Sequence, residues 1–428
     1  MEMIIKMGKG TQSLKRIRKK GSEVFPALKH KNFRYFWLGQ CVSLIGSWMQ
    51  STTQGWLVQE ITVNNSAFLL GLLNALQFTP MMIFSLFAGV FIERFSKQKI
   101  LLFTQIGLMA MALIQGVLVL TGTIKYWHLL IIAVINGIIN TIDMPTRQSF
   151  VIELVGKEDL MNGIALNSSV FNAARMLGPA VAGIIIAYVG IAGCYLINAV
   201  SFIPVIYGIS KIRTVYKKKE SKDINVIKDI KDGLIYIKGN KVLVKSFALI
   251  TVMGIFAYNY NVIIPLFAVE TLGLSSKGYG FLMSALGSGS LIGALLMATR
   301  SKGGPKSKVI VGASYIMGVL LIILGINRNQ YMMAALLAFV GIFNITFSTN
   351  SNSTVQLNSK DEYRGRVMSV YSLLFAGVTP IGSLFTGTIS NEFGPSNAFV
   401  FSGIISMIFV TIVLLFGSSK KRKKVSNV

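Results

Sequence analysis

The sequence places few ionisable side chains where they could take part in chemistry, and the first group lies in GVFIERFSKQK, residues 89–99. Glu93 and Arg94 are adjacent, Lys97 follows three residues later, and the turn separates two long apolar runs. A carboxylate beside cations can form and break ion pairs or exchange a proton. Gly89, four residues before Glu93, allows a close approach of helices. This pattern predicts a charged gate rather than a site of bond-making catalysis.

A second group of charges lies inside otherwise apolar runs. Asp143 and Arg147 are four residues apart, and Arg175 follows near the middle of the next apolar run. An arginine at that depth needs a carboxylate or a water-filled space nearby. Asp143 is the nearest carboxylate by depth, so we expect it to pair with Arg175. Gly178 and Pro179 follow, and they either bend this helix or let a neighbouring helix approach.

Polar side chains recur at three- and four-residue spacing within several apolar runs, which places them on single helix faces. Hydrogen bonding between helices would explain any one of them, but several aligned stripes together favour a water-accessible cavity. Amide, hydroxyl and aromatic groups with one buried cation suit amphipathic or anionic ligands. The predicted cavity residues are Gln40, Ser47, Gln50, Gln54, Asn74, Asn136, Asn140, Asn172, Tyr258, Asn261, Asn344 and Ser348.

The elements that position these side chains are predicted membrane-spanning helices. The chain of 428 residues is 53% hydrophobic and 14% charged, with a mean hydropathy of +0.62. Soluble domains carry about 25% charged residues. Apolar runs of about twenty residues can each cross a hydrocarbon core of about 30 Å. We predict an all-α polytopic membrane protein with twelve spans, at 33–59, 68–92, 100–121, 128–150, 163–189, 191–210, 242–269, 279–299, 309–326, 331–350, 367–390 and 396–416.

Several classes of function have no support in the sequence. Cys41 and Cys194 fall inside spans, and His30 and His128 are the only histidines, so we expect neither a metal site nor a disulfide. No GxxxxGK[ST] loop and no HExxH motif occurs, so we expect no ATP-driven pump, no enzyme and no cofactor.

The formal net charge of +26 is explained by membrane topology rather than by nucleic-acid binding. Lysine and arginine concentrate in alternate loops and at both ends of the chain, and such residues stay on the cytoplasmic side. The other loops carry little beyond Lys125, Lys277 and Arg328. Both termini are therefore predicted to be cytoplasmic, where basic segments attract anionic lipids.

The chain divides into two similar halves. A basic N-terminus (1–32) precedes a six-helix bundle (33–210), a cytoplasmic linker (211–241), a second six-helix bundle (242–417) and a basic tail (418–428). NGIALNSSVFNAARMLGP (162–179) and RGRVMSVYSLLFAGVTP (364–380) open the fifth and eleventh spans with similar patterns. Two repeats with a substrate site between them are typical of rocking transporters. Part of the linker has helical spacing of apolar residues and is predicted to lie along the membrane surface.

The charged turn carries a resemblance to a known family. GVFIERFSKQK resembles the loop motif G-x-x-x-D-R-x-G-R-[KR] of the major facilitator superfamily. Gly89, Glu93, Arg94 and Lys97 fall on its glycine, acid, first arginine and second basic position. The sequence departs from the motif by placing Glu93 where the acid is Asp and Ser96 at the inner glycine.

Two further stretches extend this resemblance over nearly the whole chain. RMLGPAVAG (175–183) resembles the Gly-Pro motif of the antiporter branch. DMPTRQSF (143–150) and RGRVMSVYSLLFAGVTPIGSL (364–384) resemble the branch that contains bacterial drug exporters and the enterobactin exporter. The resemblance implies the major facilitator fold and export rather than import.

These observations together predict a secondary transporter of the plasma membrane. We expect a monomer that exports a small amphipathic molecule, such as a drug or siderophore, in exchange for protons. Glu93, Lys97 and Asp143 would form a cytoplasmic latch with the amino-terminal end of the eleventh span. Nutrient uptake by symport remains an alternative, as does a membrane sensor or assembly factor that transports nothing.

The distribution of basic residues generates a test of topology. Single cysteines next to Lys125, Lys277 or Arg328, in a background without Cys41 and Cys194, should react with an impermeant maleimide in intact cells. Cysteines in the strongly basic alternate loops should react only after permeabilisation. The opposite labelling pattern would reverse the predicted orientation.

Overall fold

The computed structural model describes residues 25–62, 66–212, 226–300 and 305–422, and within these ranges the chain is helical with no strand. A 3-10 turn at Pro26–Lys29 precedes α1. The α-helices are α1 (Lys31–Ile61), α2 (Ser66–Arg94), α3 (Lys97–Leu120), α4 (Tyr126–Val155), α5 (Leu160–Tyr188), α6 (Ile191–Lys211), α7 (Val226–Gly239), α8 (Lys241–Phe256), α9 (Tyr260–Leu266), α10 (Ser276–Arg300), α11 (Ser307–Ile326), α12 (Gln330–Leu357), α13 (Asp361–Ala376) and α14 (Thr379–Arg422).

Most of these helices are long and apolar enough to cross a membrane. Ten helical segments meet that requirement within the described residues. One of them, Glu362–Leu415, is 54 residues long and bends at Gly394, whose φ of 83° is not helical. Helix α1 is 31 residues long but is not among the ten. The all-α polytopic architecture is confirmed, whereas the count of twelve spans remains a prediction.

Two predicted spans, 242–269 and 367–390, are interrupted rather than continuous. Between α8 and α9 the side chain of Asn259 donates to the carbonyl of Ile255 at 2.7 Å, replacing a backbone bond. Between α13 and α14, Pro380 has no N–H to donate, which favours the end of α13 at Ala376. Gly382 of α14 lies against the first break, where an added β-carbon would be 2.6 Å from the Asn259 amide oxygen. The two breaks therefore face each other.

Each half of the chain contains its own apolar core, and a third cluster joins the halves. One core gathers residues of α1, α3, α4, α5 and α6, and another gathers residues of α7 to α14. The third contains Leu57 and Val58 of α1, Leu70 of α2, and Val262 and Leu266 of α9. Burial of these side chains holds the halves together at the end where α1 finishes.

Glycines bring the two halves into backbone contact at that same end. A β-carbon at Gly71 of α2 would lie 3.0 Å from the Cα of Gly387 in α14. A β-carbon at Gly280 of α10 would lie 3.0 Å from the Cα of Gly183 in α5. Only glycine allows helices to pack at this distance. We call this part of the bundle the glycine end, defined by these four residues.

The linker helix α7 docks on the start of α13. The rings of Tyr236 and Tyr363 stack with centroids 4.5 Å apart, and Arg366 lies 3.7 Å from Asp232. Leu234 and Ile235 remain exposed. The helix predicted in the linker is therefore present, with an apolar edge that α13 does not cover, and its place along the membrane surface stays a prediction. Residues 213–225 of the predicted linker lie outside the described residues.

The glycine contacts predict that Gly280→Val loosens one end of the bundle. A β-carbon at this position meets the carbonyl oxygen of Pro179 at 2.6 Å, so α5 and α10 must separate. We expect a lower melting temperature in detergent and faster hydrogen–deuterium exchange in residues 276–283. Gly312→Val is the matched control, because it has the same helix-propensity cost and no heavy atom within 4 Å. Equal exchange in the two variants would contradict the predicted contact.

Candidate functional site

A cavity of about 530 Å³ is lined mainly by helices of the first half, with Asn261 of α9 and Ile345 of α12 from the second half. It runs from Arg175 and Asn261 in the middle of the bundle towards Arg147 and Asn167, an end that we call the cavity end. The cavity end is opposite the glycine end. The lining is formed by Gln40, Ser43, Leu44, Ser47, Trp48, Ser51, Phe78, Gln105, Leu108, Asn140, Asp143, Met144, Arg147, Gln148, Asn167, Ser168, Phe171, Asn172, Arg175, Phe202, Asn261 and Ile345.

Asp143 is a buried carboxylate in the cavity wall, and all of its described contacts are with donors. One oxygen accepts from Thr104 Oγ1 at 2.6 Å and from Gln105 Nε2 at 2.8 Å. The other accepts from Nη2 and Nε of Arg147 at 2.6 and 3.1 Å. The carboxylate therefore accepts four hydrogen bonds from three side chains. Arg147 therefore neutralises Asp143 within one turn of α4.

The expected pairing of Asp143 with Arg175 is wrong in this structure. Arg175 lies with its guanidinium 5.8 Å from the ring centroid of Trp48, and it forms no ion pair with any described residue. Tyr258 and Tyr260 are close enough to interact with it electrostatically. Arg147 lies four residues from Asp143 on the same helix and pairs with it. The carboxylate therefore needs no second cation from α5. Arg175 instead faces the cavity.

The Gly-Pro sequence after Arg175 explains how α5 can approach its neighbours closely. A β-carbon at Gly178 would lie 2.5 Å from Cβ of Trp48, so this glycine lets α5 pack against α1. The Trp48 ring meets Phe171 edge to face, with centroids 5.6 Å apart. Pro179 is buried inside α5 beside Gly280 of α10. Of the two alternatives left by the sequence, the structure favours close approach.

A smaller pocket of about 100 Å³ adjoins the cavity and is lined mainly by amides. Gln50 donates to Gln115 at 3.0 Å and accepts from Asn198, and Gln54 donates to Gln77 at 3.3 Å. These bonds link α1 to α2, α3 and α6. The amides fix the helices of the first half and leave a polar floor beside the cavity.

The predicted cavity residues fall into three groups. Five line the main cavity: Gln40, Ser47, Asn140, Asn172 and Asn261. Gln50, Gln54 and Asn136 line the amide pocket, which Ser47 and Asn140 also border. Four line neither: Asn74, Tyr258, Asn344 and Ser348. Asn74 and Ser348 bond to backbone carbonyls of their own helices, and not to a neighbouring helix as the alternative of hydrogen bonding between helices expected.

The predicted latch residues are arranged differently from expectation. Lys97 lies 2.8 Å from Glu153 and donates to the carbonyl of Ser149 at 3.2 Å. It therefore ties the start of α3 to the end of α4 within the first half, not to Asp143 or to the eleventh span. The side chains of Glu93 and Arg94, and the packing around Gly89, lie outside the part of the chain that the structure describes.

Sequence reasoning missed several residues that shape the site. Thr104 and Gln105 form an adjacent polar pair in the apolar run of α3, a signal that was available in the sequence. Trp48 and Phe171 had no such signal, since an aromatic residue in a span is usually packed in the core or against lipid. Glu153 gave no signal either, because it lies beyond the predicted span 128–150 and close to the charged residues 157–159.

A helical membrane bundle in two halves, with a cavity between them, is the architecture of a transporter of the major facilitator superfamily. The model of one family in this superfamily, described as transmembrane secretion effector, matches residues 22–426. The chain therefore belongs to the transmembrane secretion effector family.

Relatives of established function are transporters. The staphyloferrin A transporter of Staphylococcus aureus is 25% identical over 401 residues, which cover 91% of this chain and 97% of the relative. Macrolide efflux protein A of Streptococcus pyogenes is 22% identical over 396 residues, covering 91% and 96%. The multidrug efflux pump Tap of Mycolicibacterium fortuitum is 22% identical over 347 residues, covering 79% and 84%.

Solved structures share the fold. A bacterial homologue of the human lysosomal transporter Spinster, in an inward-facing and unoccupied conformation, matches with a TM-score of 0.68 at 12% identity, covering 91% of this chain and 96% of that one. A transporter of the POT family in complex with 5-aminolevulinic acid matches with a TM-score of 0.71 at 10% identity, covering 90% and 96%. These matches establish the fold and leave the substrate to the chemistry of the cavity.

The Asp143 network generates a double-mutant test. Asp143→Ala and Arg147→Ala should be coupled by about 0.5–3 kcal/mol in the free energy of unfolding, because each removes the same ion pair. Asp143→Ala and Arg175→Ala should be additive within about 0.5 kcal/mol. Unfolding in mixed micelles measures both cycles. Strong coupling of Asp143 to Arg175, with none to Arg147, would contradict the arrangement described.

Proposed function

We propose that this chain is a secondary active exporter that moves small amphipathic molecules, such as a drug or siderophore, across the plasma membrane by alternating access. One observation carries the proposal: a polar and aromatic cavity reaches one end of the bundle, while glycines and an apolar cluster join the halves at the opposite end. A site accessible from one side at a time is the requirement for coupled transport.

The cavity end is assigned to the cytoplasm. Among the described residues this end holds Lys97, Lys157 and Lys360, and loops rich in lysine and arginine are retained in the cytoplasm. The structure then corresponds to an inward-open state, ready to load substrate from the cell. The basic linker and the exposed edge of α7 suit contact with anionic inner-leaflet lipids. We propose a monomer whose halves, 33–210 and 242–417, rock as units, so that the glycine contacts separate when the cavity end closes.

The lining chemistry supports an amphipathic substrate. Leu44, Phe78, Met144, Phe171 and Ile345 give apolar contact area, and amides and hydroxyls from α1, α4 and α5 offer hydrogen bonds. The relatives named above carry a siderophore, macrolides or several drugs according to their names. Export of a compound with both apolar and polar parts fits the cavity and this range.

Protons are proposed as the coupling ion, and Asp143 is the residue proposed to bind them. It is the carboxylate in the cavity lining, among the described residues. Protonation would weaken its bonds to Arg147 and let the guanidinium turn towards the cavity. Rocking of the halves can favour that step by changing the access of water to the cavity wall that contains Asp143. Lys97 and Glu153 would brace the cytoplasmic ends of α3 and α4, next to the Glu93 turn.

Transport in inside-out vesicles tests this proposal. A deletion strain screened against toxic compounds and for secreted siderophore supplies the substrate. Inside-out vesicles with an acidic lumen should accumulate it, and a protonophore should abolish the accumulation. Asp143→Asn should reduce proton-driven flux by at least about tenfold, whereas Glu392→Gln, an exposed carboxylate away from the cavity, should not.

Three results would contradict the proposal in different ways. Accumulation driven only in the opposite direction would indicate uptake. Flux that is indifferent to the proton gradient would exclude proton coupling. No flux of any compound, with a folded protein in the membrane, would favour a sensor or assembly factor.

A further inference from the structure

The main cavity contains one cation whose charge is not compensated by a described carboxylate. Asp143 is neutralised by Arg147 at 2.6 Å, which removes that pair from the charge balance. Arg175 remains, and it lines the same cavity without an ion pair to any described residue. Unpaired cations at this depth are costly unless water or an anion faces them. The balance of charge in the lining is therefore positive.

The surroundings of Arg175 resemble a binding site more than a structural contact. Its guanidinium lies 5.8 Å from the centre of the Trp48 ring, which is a cation–π distance, and a guanidinium carries five N–H donors. Phe171, also in the lining, extends the aromatic surface. A forked donor and an aromatic surface are thus adjacent in the cavity lining.

We propose that Arg175 is the anion-binding subsite of this cavity, and that the transported compounds are organic anions in which a carboxylate is attached to an aromatic or apolar body. The inference rests on the proposed function and names its substrate class. The carboxylate accepts two parallel bonds from the guanidinium, a geometry that arginine provides and lysine does not. The apolar body lies against Trp48 and Phe171. A cationic compound of the same shape meets uncompensated positive charge and binds less well.

The position of Arg175 also links the bound anion to the closing of the bundle. A β-carbon at Gly287 of α10 would lie 2.7 Å from the carbonyl oxygen of Arg175, so this residue sits where the two halves touch. Its side chain points into the cavity while its backbone contacts the opposite half. An anion held there neutralises a charge that would otherwise oppose enclosure, since the cost of a buried ion rises as water is excluded.

Two dyes of similar shape and opposite charge provide the test. Fluorescein and rhodamine 123 share a tricyclic aromatic body; at pH 8 the first is an anion and the second a cation. Binding to the purified full-length protein is measured by fluorescence anisotropy in nanodiscs of phosphatidylcholine, with empty nanodiscs subtracted. We expect the Kd of fluorescein to be at least about tenfold lower than that of rhodamine 123. Equal binding, or tighter binding of rhodamine 123, would overturn the proposal.

Substitutions assign the charge preference to one side chain. Arg175→Gln should weaken fluorescein binding at least about tenfold and leave rhodamine 123 no weaker, while Arg175→Lys keeps part of the preference. Lys277→Gln is the control, because it removes one positive charge at an exposed position outside the cavity lining. A preference for fluorescein that survives in Arg175→Gln would place the anion elsewhere and overturn the proposal.

If Arg175→Gln does not fold, a second measurement tests whether the anion binds next to Arg175. Bound fluorescein should quench tryptophan fluorescence in the wild-type protein, and Trp48→Phe should lose most of that quenching, because Trp48 is the tryptophan beside Arg175. Quenching that is unchanged in Trp48→Phe would contradict the assigned position.

The binding tests are independent of transport. Anion preference at Arg175 without any proton-driven flux would overturn the proposed export and leave the subsite standing. Equal flux of both dyes would overturn the subsite and leave export standing.

Discussion

The backbone contact between the two halves at the glycine end is the constraint on which the rest of the structure depends. Gly71 and Gly183 in the first half meet Gly387 and Gly280 in the second, at distances that no other residue permits. Helices joined this closely at one end can diverge towards the other and leave room for a cavity there. The same contacts lack large interlocking side chains, so their separation requires less repacking than an interface of leucines.

The second constraint is that a charged side chain inside the membrane needs an opposite charge, hydrogen-bonding groups or water close to it. Asp143 meets this requirement within the first half, because its carboxylate accepts hydrogen bonds from Arg147, Thr104 and Gln105. Arg175 forms no ion pair with any described residue, and it lines the cavity. The pair of Asp143 and Arg147 is therefore suited to proton coupling, and the single charge of Arg175 is suited to substrate binding. The proposed export and the proposed anion site both depend on this separation.

The sequence predicted the helices well, because runs of apolar residues are a local property. It failed where structure depends on neighbours that are distant in the chain. The breaks beside Asn259 and Pro380 interrupt runs that are apolar enough to continue. Arg147 could have been recognised as the partner of Asp143 from its four-residue spacing. Thr104 is visible in the sequence as a polar residue within an apolar run, but its role as a partner of Asp143 is not, because nothing in the sequence states which face of α3 lies against α4.

Distances across the two ends of the bundle test the central claim that the halves rock about a fixed site. Spin labels at Lys157 and Lys360 report the cavity end, and labels at Thr123 and Glu392 report the glycine end; all four side chains are exposed. Pulsed electron paramagnetic resonance in nanodiscs, with and without transported substrate at acidic and neutral pH, gives both distances. The account predicts that the first distance shortens under the same condition in which the second lengthens. Two distances that stay constant, or change in the same direction, would contradict it.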